Sequence, residues 1–141
     1  KVSLIHSVDS LHLAEEINKC AAKKSLTMNC LLQVNVSKEE SKHGVGIEDV
    51  DRIVEEFTKF DNVNLKGFMT MAPFDATEYT LRKIFSTLYK KYVDMSAQKG
   101  HNVNMSYLSM GMTNDFTCAI EEGSNMVRVG TGIFGERNYN I

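Results

Sequence analysis

With 141 residues, 43% of them hydrophobic and 24% charged, the chain has the length and composition of one folded domain, expected over 1–141, and too many apolar residues for a disordered segment. Sixteen Lys+Arg against eighteen Asp+Glu give a net charge of −2 with no basic block, which argues against a nucleic-acid partner. No apolar run approaches the ~18 residues of a membrane span, so no membrane partner is expected.

The cysteines, Cys20, Cys30 and Cys118, are odd in number and form no C-x-x-C pair. They suggest neither a disulfide framework nor zinc, and a reducing, cytoplasmic compartment is expected.

Along the chain, Ser3–Ser7 reads as a strand. Asp9 is placed to cap a helix carrying Leu11, Ala14, Ile17 and Ala21 and ending near Lys24. Met28–Val36 is a nearly continuous apolar run, as in a strand covered on both faces. A polar loop over 37–46 precedes an amphipathic helix marked by Ile47, Val50, Ile53, Val54, Phe57 and Phe60. Asn64–Ala72 reads as a third strand closed by Pro73. Thr77 or Asp75 then caps a long helix with Leu81, Ile84, Phe85, Leu88 and Tyr92 on one face, ended by Gly100. Val103–Ser109 reads as a fourth strand. The loop Met110–Thr113 opens a short helix with Phe116, Ala119 and Ile120 inward and Gly123 as its stop. Met126–Val129 reads as a fifth strand running into Gly130-Thr131-Gly132.

Strands alternating with helices imply βαβ units and a parallel sheet. A doubly wound sheet of five strands would be complete in itself. A (β/α)₈ barrel of ~250 residues spends roughly 31 per unit, so this length holds about five βα units, the C-terminal part of a barrel. Periodicity leaves both open.

In either architecture, functional groups collect at the carboxyl ends of the strands. Two such ends stand out, Ser109-Met110-Gly111-Met112-Thr113-Asn114-Asp115 and Arg128-Val129-Gly130-Thr131-Gly132. Small residues let a ligand approach the backbone, while hydroxyls and free N–H groups at a helix start can cradle phosphate. The plain alternative is a pair of structural turns, with Thr113 an ordinary cap. Arg128 either faces inward to a charged or ring-nitrogen partner or pairs outward. His6 ends a strand within reach of a site, yet a packed histidine explains it as well. Neither a metal cluster nor a nucleophile-elbow arrangement is present in the sequence.

The stretch Tyr107–Tyr139, YLSMGMTNDFTCAIEEGSNMVRVGTGIFGERNY, resembles the signature of the pyridoxal-phosphate homeostasis protein family (the YggS/PROSC-like proteins, related to the alanine racemase N-terminal domain). HSVDS, VNVSKEESKHG and LKGFMTMAP resemble the same family's earlier segments, in order. The resemblance implies a fold-type III barrel that holds pyridoxal 5′-phosphate (PLP). Ser109, Gly111, Met112 and Thr113 would bind the phosphate with Gly130 and Thr131, and Arg128 would face the pyridine nitrogen. Position 113 is Thr where the family usually has Ser. Position 132 is Gly where a small residue such as Ala is common, which is expected to loosen the turn slightly. The family's Schiff-base lysine lies in an AVSK-like motif on the first barrel strand, which is not found here. Val36-Ser37-Lys38 imitates it, but its context matches the later loop, so Lys38 is expected to be solvated. The first strands of the barrel are thus expected to be missing, together with the covalent lysine.

The resemblance implies a carrier or buffer of PLP, a vitamin B6 cofactor, without robust turnover and with no catalytic residues. PLP-dependent apoenzymes are the implied recipients. The alternative is a fragment of a PLP-dependent racemase or decarboxylase; a phosphosugar barrel enzyme is a third reading. Open barrel edges are expected to favour self-association or association with a complementary fragment.

Overall fold

The computed structural model describes residues 2–38, 43–98 and 100–136. Its elements are β1 (Ile5–Val8), α1 (Leu11–Lys23), β2 (Met28–Asn35), β3 (Val45–Gly46), α2 (Val50–Phe57), β4 (Val63–Met69), α3 (Glu78–Ser96), β5 (Val103–Met112), α4 (Phe116–Glu121), β6 (Met126–Arg128) and α5 (Thr131–Phe134). The strands pair in parallel in the order β1-β2-β4-β5-β6, with β3 beside the end of β2. A doubly wound sheet reverses direction and breaks chain order, whereas a barrel adds each strand beside the last. The order therefore selects the barrel: an α/β half-barrel of parallel strands.

Alternation along β2 shows how the sheet is buried on both faces. Cys30, Leu32 and Val34 join the core cluster with Val54 and Phe57 of α2 and Phe85 and Leu88 of α3. Leu31 and Gln33, pointing the other way, are also buried. Phe57, Phe68 and Phe85 are fully buried, each worth roughly 1.5–3 kcal/mol relative to exposure. Burial pushes the Cys30 thiol up to about 12, so it is inert as a nucleophile near neutral pH.

Several boundaries differ from expectation for local reasons. Ser10, not Asp9, caps α1, its hydroxyl accepting from Leu13 N at 3.2 Å. β1 starts at Ile5 and runs to Val8, whose side chain is buried against β2. The two-residue β3 and the 3₁₀ turn Ile47–Asp49 shorten α2 to Val50–Phe57. Thr77 caps α3, which ends at Ser96, before Gly100. The ladder of β4 ends at Met69. β5 does not stop at Ser109; it continues to Met112, paired there with Arg128. Ala119 of α4 faces the core, but Ile120 is exposed.

α4 is tied to α3 by Arg82, which donates to Glu78 (2.8 Å), Glu121 (2.7 Å) and Glu122 (3.0 Å). That surface network braces the helix following the Thr113 turn. Among the described residues, no helix is long and apolar enough to cross a membrane, and no His, Cys, Asp or Glu cluster of metal-binding size occurs.

Candidate functional site

An open groove of about 1080 Å³ lies at the carboxyl ends of β4, β5 and β6. Its walls include Met71 and Phe74 after β4, Met112 and Thr113 at the end of β5, and Gly130 and Thr131 after β6.

The two sequence-singled turns meet here. Thr131 Oγ1 and Gly132 N both donate to Thr113 Oγ1, each at 3.1 Å. With both acceptor sites of that oxygen used, the Thr113 hydroxyl proton is left to point elsewhere. Met112 N donates to Asp115 Oδ1 at 2.6 Å, which fixes the turn from below. Among the described residues, a Cβ added at Gly130 would meet nothing within 4 Å, so this backbone borders open space there. Gly111 is different. It has φ +99°, and an added Cβ would lie 2.7 Å from Ala119 Cβ; it lets α4 pack on β5. Gly132 does not loosen its turn: an added Cβ would lie 3.0 Å from Thr113 Cγ2, so the threonine methyl takes that room.

Both turns open helices, but of only six and four residues. Such short helices carry little dipole, so the cradle rests on hydroxyls and an unobstructed glycine.

Ser109 and Arg128 do not line the groove. They form a cluster with His6 and Thr70 that joins four strand ends. Arg128 Nη1 donates to Ser109 Oγ at 2.6 Å and Nη2 to the Thr70 carbonyl at 3.0 Å. His6 Nδ1 lies 3.3 Å from the same Ser109 Oγ. Thr70 Oγ1 donates to the Val34 carbonyl at 2.7 Å, and Thr70 N to the Ser109 carbonyl at 3.1 Å. Arg128 therefore points inward, to neutral partners. Burial lowers its pKa while Asp115 opposes the shift, and the guanidinium stays charged. Burial first, and Arg128 second, hold His6 below the usual histidine range.

Thr70 carried no sequence signal beyond its place in LKGFMTMAP; its importance comes from the sheet, which puts a buried hydroxyl and carbonyl between β2 and Arg128. His6 was legible as a strand-end histidine, but its partner is 103 residues away. Lys38 is outside the groove, at φ +57°, with Nζ 3.5 Å from Glu48 and the side chain mostly exposed. Among the described residues lining the groove, none is a lysine. Part of two quoted segments, 39–42 and 137–139, lies outside the described residues.

Parallel strands in chain order, with two hydroxyl-and-glycine turns meeting at the carboxyl ends of β5 and β6 and a pinned arginine beneath, define a barrel-type α/β protein with an open groove at its strand ends. The family model of the alanine racemase N-terminal domain matches residues 1–138, and the chain belongs to that family. A pyridoxal phosphate homeostasis protein of Aquifex aeolicus is 42% identical over 99% of this chain and 60% of its own length. A crystal structure of an unknown protein from Bifidobacterium adolescentis has a TM-score of 0.90 at 41% identity, covering 94% of this chain and 53% of that one. PipY of Synechococcus elongatus, solved with PLP bound, has a TM-score of 0.83 at 28% identity, covering 94% of this chain and 61% of that one. The chain thus spans little more than half the length of the relatives it matches.

Proposed function

We propose that this chain holds pyridoxal 5′-phosphate at the groove and serves PLP storage and transfer to apoenzymes without robust turnover. The observation that carries this reading is the meeting of Thr113 and Thr131 hydroxyls beside the open space at Gly130. Hydroxyls, backbone N–H groups and a glycine that leaves room are the donor set and the space a phosphate monoester needs. The relatives named for PLP homeostasis and the PLP-bound PipY structure support the same cofactor.

When bound, PLP supplies an electron-withdrawing ring that stabilises carbanions. Thr113, whose hydroxyl proton is uncommitted, would hold its phosphate with Thr131 beside the open backbone at Gly130, while the Met112 N–H stays with Asp115 and shapes the turn. Arg128, pinned beneath the groove, would face the ring nitrogen. A fixed cation there would leave that nitrogen without a proton and weaken the ring as an electron sink, which would suit carrying over catalysis. Ser109 acts beneath, as the support of Arg128. The covalent lysine belongs outside this chain, in keeping with the exposed, ion-paired Lys38.

The test is a titration of PLP into the chain, with inorganic phosphate as competitor. Thr113→Val combined with Thr131→Val is expected to raise the PLP Kd at least about tenfold, since a hydrogen bond to a charged group contributes roughly 1.5–3 kcal/mol. Unchanged affinity in that variant, or no competition by phosphate, would refute the cradle.

A further inference from the structure

We propose that His6 is a positioning residue: its Nδ1 accepts a hydrogen bond from the Ser109 hydroxyl, and this fixes the serine oxygen that holds Arg128. The inference deepens the reading of Arg128 as the group facing the cofactor ring.

Ser109 Oγ carries one proton and two lone pairs. Arg128 Nη1 can only donate, so at 2.6 Å it takes a lone pair. Ser109 is fully buried, and among the described residues its hydroxyl has no partner besides Arg128 and His6. The Ser109 hydroxyl therefore donates to His6 Nδ1, 3.3 Å away. Were Nδ1 protonated instead, two donors would converge on Oγ and its own proton would have no acceptor in a buried place. His6 is thus neutral, with its ring proton on Nε2. Burial and the charge of Arg128, the nearby ion acting on it, oppose a second ring proton.

The consequence is reach. A free arginine side chain samples many rotamers, and a guanidinium tied at one end alone would still swing. Here Nη2 is tied to the Thr70 carbonyl and Nη1 to Ser109, so both arms are set before any ligand arrives. His6, on β1, determines which way the serine oxygen on β5 presents itself to β6.

The experiment uses the chain with ¹⁵N-labelled histidine at pH 8, His6 being assigned by its loss in His6→Gln. The expected spectrum has His6 as the Nε2–H tautomer, with Nδ1 shifted upfield as a hydrogen-bond acceptor. That upfield shift is expected to vanish in Ser109→Ala. In parallel, His6→Leu is expected to weaken PLP binding roughly tenfold while leaving inorganic phosphate affinity unchanged, and His6→Gln, whose amide oxygen can accept, to restore most of it. An Nδ1–H tautomer, or an Nδ1 resonance indifferent to Ser109→Ala, would overturn the inference. So would an equal loss of PLP and phosphate affinity in His6→Leu, the mark of a merely structural role. If the wild-type chain takes up no PLP, the functional reading fails, and the ring-nitrogen spectrum alone decides the hydrogen-bond assignment.

Discussion

Gly67→Ala is expected to destabilise the chain by about 4 kcal/mol, or to prevent folding outright. Gly67 sits in β4 opposite Tyr107 of β5, at a point where the register shifts. Its φ is +144°, and an added Cβ would stand 1.7 Å from the Tyr107 carbonyl oxygen. That oxygen is backbone, so no rotamer change relieves the overlap. The strands must separate, which breaks the ladder at the middle of the sheet. Gly130→Ala is the control. Among the described residues its added Cβ meets nothing, so its unfolding free energy from urea titration is expected within about 0.5 kcal/mol of wild type. Equal stability of the two variants would show that β4 and β5 do not approach as described.

The second large effect is at Asn102, just before β5. The two N–H groups of its Nδ2 are shared among the carbonyls of Phe57 (2.6 Å), Phe60 (2.8 Å) and Val63 (3.1 Å), and its backbone carbonyl accepts from Leu65 N at 2.8 Å. One side chain thus latches the end of α2 to the starts of β4 and β5. The residue is buried, so water does not replace lost donors, and among the described residues its Oδ1 has no partner. Asn102→Leu leaves three carbonyls without this donor and is expected to cost about 3 kcal/mol. Asn102→Asp is expected to cost at least about 4 kcal/mol at pH 7, because a buried carboxylate would face carbonyl oxygens. The pH dependence has a definite sign. Those oxygens raise the folded-state pKa of the new acid above its unfolded value, so the folded state binds more protons. Stability then falls as pH rises through that window, and Asn102→Asp recovers relative to wild type on acidification towards pH 4. A penalty independent of pH would contradict this placement of the side chain.

How far the residues alone reach is clear from β5. Leu108 and Met110 are buried at alternate positions, and the strand was legible from Val103 onward. Its continuation to Met112 was not, because Gly111 looks like a breaker until the positive φ and the packing of α4 explain it. The choice between a wound sheet and a barrel was likewise hidden. Helix and strand periods are the same in both, and only the pairing order separates them. Thr113 and Thr131 could be singled out as hydroxyl-bearing turns, yet their meeting depends on β5 and β6 being neighbours. Ser109 was the misleading residue. It lies in the motif beside the phosphate-directed positions, but strand alternation sends it into the sheet, towards His6 and Arg128.

In the proposed complex PLP would lie at the carboxyl ends of β5 and β6 with its phosphate between the two turns. An amide and arginine side-chain shift map of the ¹⁵N-labelled chain, titrated with PLP, tests it most directly. The predicted map has its largest changes at Thr113, Gly130, Thr131 and Gly132, with Arg128 side-chain signals moving as well; inorganic phosphate should move the turns alone. Changes centred instead on the smaller cavity of about 400 Å³ at the opposite strand ends, around Lys66 and His101, or no saturable changes, would contradict the account.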